Sequence, residues 1–329
     1  MIVFVHGVGG PRDPDASRQS WTSALAEGAR AAGHSAAISG LTGGWDVETV
    51  FAHYEELFHP DSGAEPQGAG GVVDAADRLD EEQARITLAL MGEFLEREAE
   101  RPENRGDARL ARARAQLSPE ALAGAEAQGL LGTARHVIDA CSLFASLPLA
   151  RRLARWATAH EALRDWSQPG RYLARHAENG HTTPLDQRIR ERVRSFLDPE
   201  RPTIVIGHSL GSVIALETLA DGYPGEVPLF VTIGSPIATR AVVWPRLRPS
   251  PPTTPACVGR WLDFADRDDL IVPRHPFDDI VLPNEAGVRP ESVPLDSCRL
   301  WVHSATTYLR RPEPAGAVME ALASLSAAS

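Results

Sequence analysis

Short apolar runs recur along the chain and predict the strands of a buried sheet. The first, Ile2 to Val5, contains no polar residue, which is typical of a parallel strand covered on both faces. The turn-forming segment Asp-Pro-Glu-Arg-Pro precedes one of the later runs. The other runs predict strands at about 47–53, 203–206, 229–233, 260–264 and 298–302.

Between these strands, apolar residues recur at the spacing of an amphipathic helix. In the segment 20–32, Trp21, Leu25 and Ala29 can share one face. Strands that alternate with helices predict an α/β fold, with a mostly parallel sheet and helices on both of its faces. The same spacing predicts further helices at 80–101, 186–197, 212–219 and 314–324.

The composition changes in the middle of the chain. A polar, glycine-rich connection begins at Pro60, and the sequence beyond it is rich in alanine, arginine and leucine. We therefore expect a core built from residues 1–58 and 178–329. Residues 59–177 are expected to form a large, mainly helical insertion that acts as a cap.

Charge and cysteine content narrow the classes of function. The chain has 33 arginines, no lysine and 44 acidic residues, which gives a net charge of −11 and argues against a nucleic-acid surface. Its three widely spaced cysteines provide neither a disulfide framework nor zinc spacing. No apolar run reaches the roughly 20 residues of a membrane span, and the first residues lack the pattern of a signal peptide. We expect a cytoplasmic protein without stable membrane insertion.

The strand predicted at 203–206 leads directly into Gly207-His208-Ser209-Leu210-Gly211, and a predicted helix follows. A G-x-S-x-G pattern between a strand and a helix is typical of a nucleophile elbow, which holds a serine on a sharp turn. Glycines at 207 and 211 fit this geometry, because neighbouring side chains would clash in so tight a turn. The alternative interpretation is a turn or phosphate loop that happens to contain a serine.

A serine hydroxyl is a weak nucleophile until a base removes its proton. Two histidines follow Ser209 in the sequence, His275 and His303. We favour His303 as the base because it follows the last predicted strand near the end of the chain. His275 lies between arginine and proline, which is more typical of a surface or pocket-rim residue.

The acid that orients such a base is expected in the segment WLDFADRDDLIVP, which begins at Trp261. This segment contains four aspartates, Asp263, Asp266, Asp268 and Asp269. Asp269 stands directly before an apolar stretch and is our first choice, with Asp266 second. Spacing alone does not decide between them.

An acyl-transfer site also needs N–H donors for the developing oxyanion. One is expected from the backbone of Leu210, directly after the serine, and the other from Val8 in the loop that follows the first strand. His6 and Gly7 belong to the same loop, and His6 is expected to brace it. A simple glycine turn is the alternative, but the chain has neither a complete dinucleotide fingerprint nor a P-loop lysine.

With these segments the chain resembles the α/β-hydrolase superfamily, in particular its lipase- and esterase-type members. The similarity rests on FVHGVGG, VIGHSLGS, VTIGSP, WLDFADRDDLIVP and WVHSATTYL, which cover both ends of the chain but not its middle. The resemblance implies an α/β-hydrolase fold with Ser209 as nucleophile, His303 as base and Asp269 as acid. Such members often have proline and valine after the aspartate, whereas this chain has Leu270 and Ile271.

We therefore expect a serine hydrolase that cleaves a carboxylic ester or thioester of a small acyl substrate through an acyl-enzyme, without a metal or organic cofactor. The histidine pairs 53/59 and 176/181 lack the spacing of a metal site. Two alternatives stay open: an acyltransferase or cyclase that uses the same triad, and a binding protein of this fold without turnover. Five apolar residues of the insertion are expected to form either its own core or a lid that selects a hydrophobic acyl group: Leu143, Phe144, Leu147, Leu149 and Trp156.

Overall fold

The structure is a computed structural model in which the chain divides into two compact units. The first unit consists of Met1–Glu55 and Ile189–Ser329, and the second of Glu56–Arg188. The described residues are 1–9, 13–37, 47–59, 79–101, 104–127, 129–146, 159–269, 271–273, 279–296 and 302–328.

The first unit is built on one parallel sheet. Within the described residues this sheet has six strands in the order β2-β1-β3-β4-β5-β6, and every neighbouring pair is parallel. The α/β class predicted from the alternation of strands and helices is thereby confirmed. The strands are β1 (Ile2–Val5), β2 (Thr49–Ala52), β3 (Ile204–His208), β4 (Phe230–Ile233), β5 (Trp261–Asp266) and β6 (Pro290–Leu295).

Helices precede and follow these strands along the chain. None of the helices in the described ranges is long and apolar enough to cross a membrane. Their bounds are α1 (Pro14–Ala31), α2 (Glu81–Ala99), α3 (Ala108–Gln116), α4 (Pro119–Glu126), α5 (Gly129–Ser146), α6 (Ala159–Ala174), α7 (Leu185–Arg194), α8 (Leu210–Ala220), α9 (Ala305–Leu309) and α10 (Pro312–Ala328).

The core of the first unit lies between the sheet and the helices α1, α9 and α10. Phe4 and Ile206 point into this layer, where Trp21 of α1 meets the Phe4 ring edge-on at a centroid distance of 5.4 Å. The alternate residues Val3 and Val205 face the other side of the sheet and are equally buried. Because both faces are covered, these strands need apolar residues at nearly every position.

The sequence prediction does not include the sixth strand of the described sheet. β6 pairs with β5 at the edge of the described sheet. Pro290 and Leu295 at its ends are buried, whereas the residues between them are half-buried or exposed, Glu291 among the exposed ones. A half-exposed edge strand has no continuous apolar run, so the criterion that finds the central strands misses it. The strand predicted at 298–302 falls almost entirely on residues 297–301, which lie outside the described residues.

The second unit is mainly helical in its described residues. α2 begins with a capping box, in which the Asp80 carboxylate accepts the N–H of Gln83 and the Gln83 side chain accepts the N–H of Asp80. In its interior, Phe94 packs edge-to-face on Trp166 of α6, with centroids 5.7 Å apart. Leu143 of the expected lid is half-buried, and the side chains of the other four lie outside the described part. The role of this unit as a cap stays a prediction.

Candidate active site

Ser209 stands on the sharp turn between β3 and α8. Its backbone has φ 52° and ψ −129°, a left-handed conformation that costs a residue with a side chain about 1–3 kcal/mol. The surrounding structure holds this strain, since the Ser209 N–H donates to the Ile233 carbonyl at 3.1 Å and its carbonyl accepts the Ser212 hydroxyl at 2.6 Å. The turn therefore presents the hydroxyl at the carboxyl end of the central sheet.

The two glycines of the motif allow three pieces of backbone to meet at this turn. A β-carbon at Gly207 would lie 2.7 Å from the Cα of Ser212. One at Gly211 would lie 2.2 Å from the carbonyl oxygen of His6 and 2.3 Å from that of Val5. Because these neighbours are backbone atoms, they cannot rotate away, and α8 can approach the end of β1 only when Gly211 has no side chain.

Gly211→Ala should therefore destabilise the first unit. Overpacking of this kind costs typically about 1–3 kcal/mol, so the free energy of unfolding in urea is expected to fall by that amount. Gly92→Ala is the matched control, because a β-carbon there would stay 3.8 Å from the nearest side chain. It should leave stability unchanged or raise it slightly, since alanine favours a helix interior. Equal stability of the Gly211→Ala variant and wild type would contradict the close packing.

The structure brings Ser209, His303 and Asp269 together in one hydrogen-bonded chain. The Ser209 hydroxyl lies 3.0 Å from Nε2 of His303, and Nδ1 of His303 lies 2.8 Å from Oδ2 of Asp269. An ionised carboxylate only accepts hydrogen bonds, so Nδ1 carries the imidazole proton and Nε2 is left to accept from the serine. Ser209 and Asp269 are buried, while 20% of the His303 side chain remains exposed. The other histidine considered, His275, lies outside the described residues.

Two of the other aspartates in the segment that begins at Trp261, Asp263 and Asp266, have other partners. Asp263, within β5, accepts the Thr232 hydroxyl at 2.7 Å. Asp266, the second choice for the acid, accepts the N–H of Asp268 at 2.9 Å through its side chain. The partner of the histidine is thus Asp269, which the sequence ranked first without deciding the choice.

Asp269 is held as a carboxylate by the donors around it. Burial by itself raises the pKa of this carboxyl, but the His303 charge and hydrogen bonds from His303, Tyr308 and the Ile271 N–H outweigh burial, and the pKa is lowered. The Tyr308 hydroxyl donates to Oδ2 at 2.7 Å, and the Ile271 N–H donates to Oδ1 at 2.9 Å. A buried, ionised acceptor is what an orienting acid needs, because it must attract the Nδ1 proton throughout the reaction.

The stability of the first unit should respond to the charge of Asp269. Folding lowers its pKa, so its stabilising contribution is complete above the ordinary value of 3.8 and is lost as the pH falls through the lower folded value. The difference in free energy of unfolding between wild type and Asp269→Asn should therefore shrink as the pH is lowered below that value. Urea unfolding at several pH values measures it, with Asp268→Asn as the control. A difference that grows toward low pH would contradict the lowered pKa.

Gly234 completes the surroundings of the Asp269–His303 pair. It has φ 58°, and a β-carbon there would lie 3.1 Å from Oδ2 of Asp269 and 3.3 Å from Nδ1 of His303. Any larger residue would press on the hydrogen bond between Asp269 and His303 while adopting a left-handed backbone. The glycine after β4 is therefore part of the site's packing.

The loop after β1 lies directly against the serine. A β-carbon at Gly7 would come within 2.6 Å of the Ser209 Cβ, which leaves only backbone at this point. His6 contacts both the loop and Tyr54: its Nδ1 lies 2.7 Å from the Gly7 carbonyl oxygen, and its ring stacks on that of Tyr54 at a centroid distance of 4.1 Å. The Tyr54 hydroxyl also donates to the His6 carbonyl. The loop that contains Val8 is thus fixed beside the candidate nucleophile.

The N-terminus of α8 begins at the residue after the serine. As the first helical residue, Leu210 has an N–H with no carbonyl available one turn earlier within the helix. This end of a helix also carries partial positive charge, which favours an anion. The ring of His208 lies next to that of His303, with a centroid distance of 4.9 Å. Within the described ranges, no group of three or more histidine, cysteine, aspartate or glutamate side chains could hold a metal ion.

Sequence reasoning missed Tyr308 and Gly234 as members of the site. Both lie in segments that carry the hydrolase resemblance, VTIGSP and WVHSATTYL. Tyr308 lies five positions after His303, and only the fold shows that α9 turns its hydroxyl back to the acid. Their position within these two segments, and not their residue type, is the sequence signal that could have found them.

Comparisons with known proteins identify no relative of this chain. Neither the protein-family models nor the curated proteins and solved structures gave a match to this chain. The case for a function therefore rests on the geometry around Ser209, His303 and Asp269.

Proposed function

We propose that this protein is a serine hydrolase of the α/β-hydrolase type that cleaves a carboxylic ester or thioester through a covalent acyl-enzyme. The observation that carries the proposal is the continuous chain of hydrogen bonds from Asp269 through His303 to Ser209, with distances of 2.8 and 3.0 Å. A strained serine between a parallel strand and a helix supports it, because this is the geometry of a nucleophile elbow.

In the first half of the reaction, the Ser209 oxygen attacks the carbonyl carbon of the substrate and its proton passes to Nε2 of His303. Asp269 stabilises the imidazolium that forms. The carbonyl oxygen becomes an oxyanion and accepts hydrogen bonds from the backbone N–H groups of Leu210 and Val8. When the tetrahedral intermediate collapses, His303 returns the proton to the departing alkoxide or thiolate.

In the second half, a water molecule resolves the acyl-enzyme. His303 takes a proton from this water, the hydroxide attacks the acyl carbon, and the carboxylic acid leaves as Ser209 recovers its proton. The exposed part of the His303 side chain gives water a route to the base. Removal of a single oxyanion donor costs roughly 10²–10³ in kcat in enzymes of this kind, so two donors and the base supply a large share of the acceleration.

A panel of p-nitrophenyl esters and acyl thioesters of graded chain length tests the proposal. Wild-type protein should release p-nitrophenol or thiol together with one equivalent of free carboxylic acid, identified by mass. If the wild-type protein hydrolyses none of the esters and thioesters in the panel, the proposal is contradicted. If the acyl group is instead recovered on an added alcohol or amine, without free carboxylic acid, the reaction is acyl transfer by the same triad and not hydrolysis.

A further inference from the structure

Tyr308 connects the acid of the site to the loop that carries it. The residue lies in α9, with its side chain fully buried. Its hydroxyl donates to Oδ2 of Asp269 at 2.7 Å and accepts the backbone N–H of Asp266 at 3.2 Å. One oxygen atom therefore joins both ends of the turn from Asp266 to Asp269.

The direction of these hydrogen bonds is fixed by chemistry. A backbone N–H can only donate, so the bond from Asp266 uses a lone pair of the phenol oxygen. The single phenolic proton is then free to go to the carboxylate, which can only accept. Oδ2 of Asp269 consequently accepts two hydrogen bonds, from Tyr308 and from Nδ1 of His303.

We propose that Tyr308 is a positioning residue for the triad, which acts through Asp269 by holding Oδ2 in line with Nδ1 of His303. This inference rests on the proposed function for its catalytic consequence. The Ile271 N–H fixes Oδ1 and Tyr308 fixes Oδ2, so the carboxylate plane cannot rotate away from the imidazole. The imidazole in turn keeps its Nε2 lone pair directed at Ser209.

The electrostatics of the pair agree with this role. Burial, followed by the charge of Asp269, raises the pKa of Tyr308 well above its ordinary value of 10.0, so the phenol keeps its proton wherever an ester can be assayed. The hydroxyl is therefore a permanent donor to the acid. Tyr308 also belongs to the element that begins directly after His303 and Ser304, which ties the base and the acid to the same short helix.

Tyr308→Phe removes only the hydroxyl and tests the proposal. The matched control is Tyr223→Phe, the same exchange at a buried tyrosine of the first unit that contacts none of the triad in the described structure. With a p-nitrophenyl ester, Tyr308→Phe should lower kcat by roughly tenfold with KM unchanged, because the acid's orientation matters in the transition state and not in substrate binding. Tyr223→Phe should keep the wild-type kcat and KM.

Proton NMR gives a readout that does not depend on turnover. The hydrogen-bonded Nδ1 proton of His303 should appear far downfield, and its resonance should move in Tyr308→Phe but not in Tyr223→Phe. In wild-type protein, this proton should also show a nuclear Overhauser effect to the Tyr308 hydroxyl proton, since both donate to Oδ2 of Asp269. Because the Overhauser effect is measured on wild-type protein, it tests the link between Tyr308 and Asp269 even if the variant does not fold.

The outcomes separate this inference from the proposed function. An active wild type whose kcat and Nδ1 resonance are both unchanged in Tyr308→Phe would overturn the role of Tyr308 and leave the hydrolase proposal intact. An inactive wild type that still shows the Overhauser effect and the shifted resonance would overturn the hydrolase proposal while the Tyr308–Asp269 link stands. A rise in KM with unchanged kcat would also overturn the positioning role.

Discussion

Replacing Ser209 with alanine is expected to lower kcat/KM for esters by roughly a millionfold, the scale seen when a hydrolase loses its nucleophile. The physical reason is that the variant retains the oxyanion donors and the base but has no oxygen to attack the carbonyl carbon. The strained turn is unchanged by this exchange, because alanine and serine face the same backbone restriction at φ 52°. The melting temperature of the variant should therefore stay close to that of wild type.

Ser195→Ala provides the matched control for this measurement. Ser195 is exposed after α7, and its hydroxyl bonds the Arg192 carbonyl at 2.7 Å, away from the triad. This variant should hydrolyse esters at the wild-type rate. Both variants are purified free of contaminating esterases and assayed with the same ester. If Ser209→Ala hydrolyses this ester at the wild-type rate, another group is the nucleophile.

Asp269→Asn is expected to lower kcat by roughly 10⁴-fold, as loss of the orienting carboxylate does in serine proteases. The new amide would have to accept from both Tyr308 and His303 at the position of Oδ2, or turn its NH₂ group toward the imidazole. In the second arrangement Nδ1 becomes an acceptor and the ring proton moves to Nε2, where it faces the Ser209 hydroxyl. The base then has no lone pair for the serine proton.

Steady-state kinetics of the aspartate variants checks this prediction. Asp268→Asn changes the neighbouring residue in the same loop and should keep nearly the full kcat. A normal rate for Asp269→Asn with loss of activity in Asp266→Asn would transfer the role of the acid to Asp266. Loss of activity without loss of folding, in Asp269→Asn alone, is the expected result.

The central strands and the glycine-flanked turn at Ser209 could be predicted because their physical constraints are local. Strands buried on both faces require apolar runs, and a turn between a strand and a helix requires glycine where backbone meets backbone. These constraints appear within a few positions of one another, as in the segment from 203 to 219. The central strands and the turn that holds Ser209 follow from such local signals.

The pairing of the triad residues and the role of Tyr308 depend on contacts between residues far apart in the sequence. His303 bonds Asp269 across 34 positions and Ser209 across 94, and no spacing rule could rank four neighbouring aspartates. Nothing in the sequence distinguishes Tyr308 from a core residue of a short helix. Its contact with Asp269 spans 39 positions and is visible only in the structure. β6 was missed because a half-exposed edge strand needs no continuous apolar run, and Pro290–Leu295 contains glutamate, serine and two prolines.

Reaction with a fluorophosphonate, followed by peptide mass spectrometry, tests the central claim most directly. Such a reagent bonds covalently to a serine whose hydroxyl is activated by a neighbouring base, and it requires no knowledge of the natural substrate. The account predicts one adduct per chain, located on Ser209, present in Ser195→Ala and absent in Ser209→Ala. A wild-type protein that forms no adduct, or forms it on a residue other than Ser209, would contradict the account.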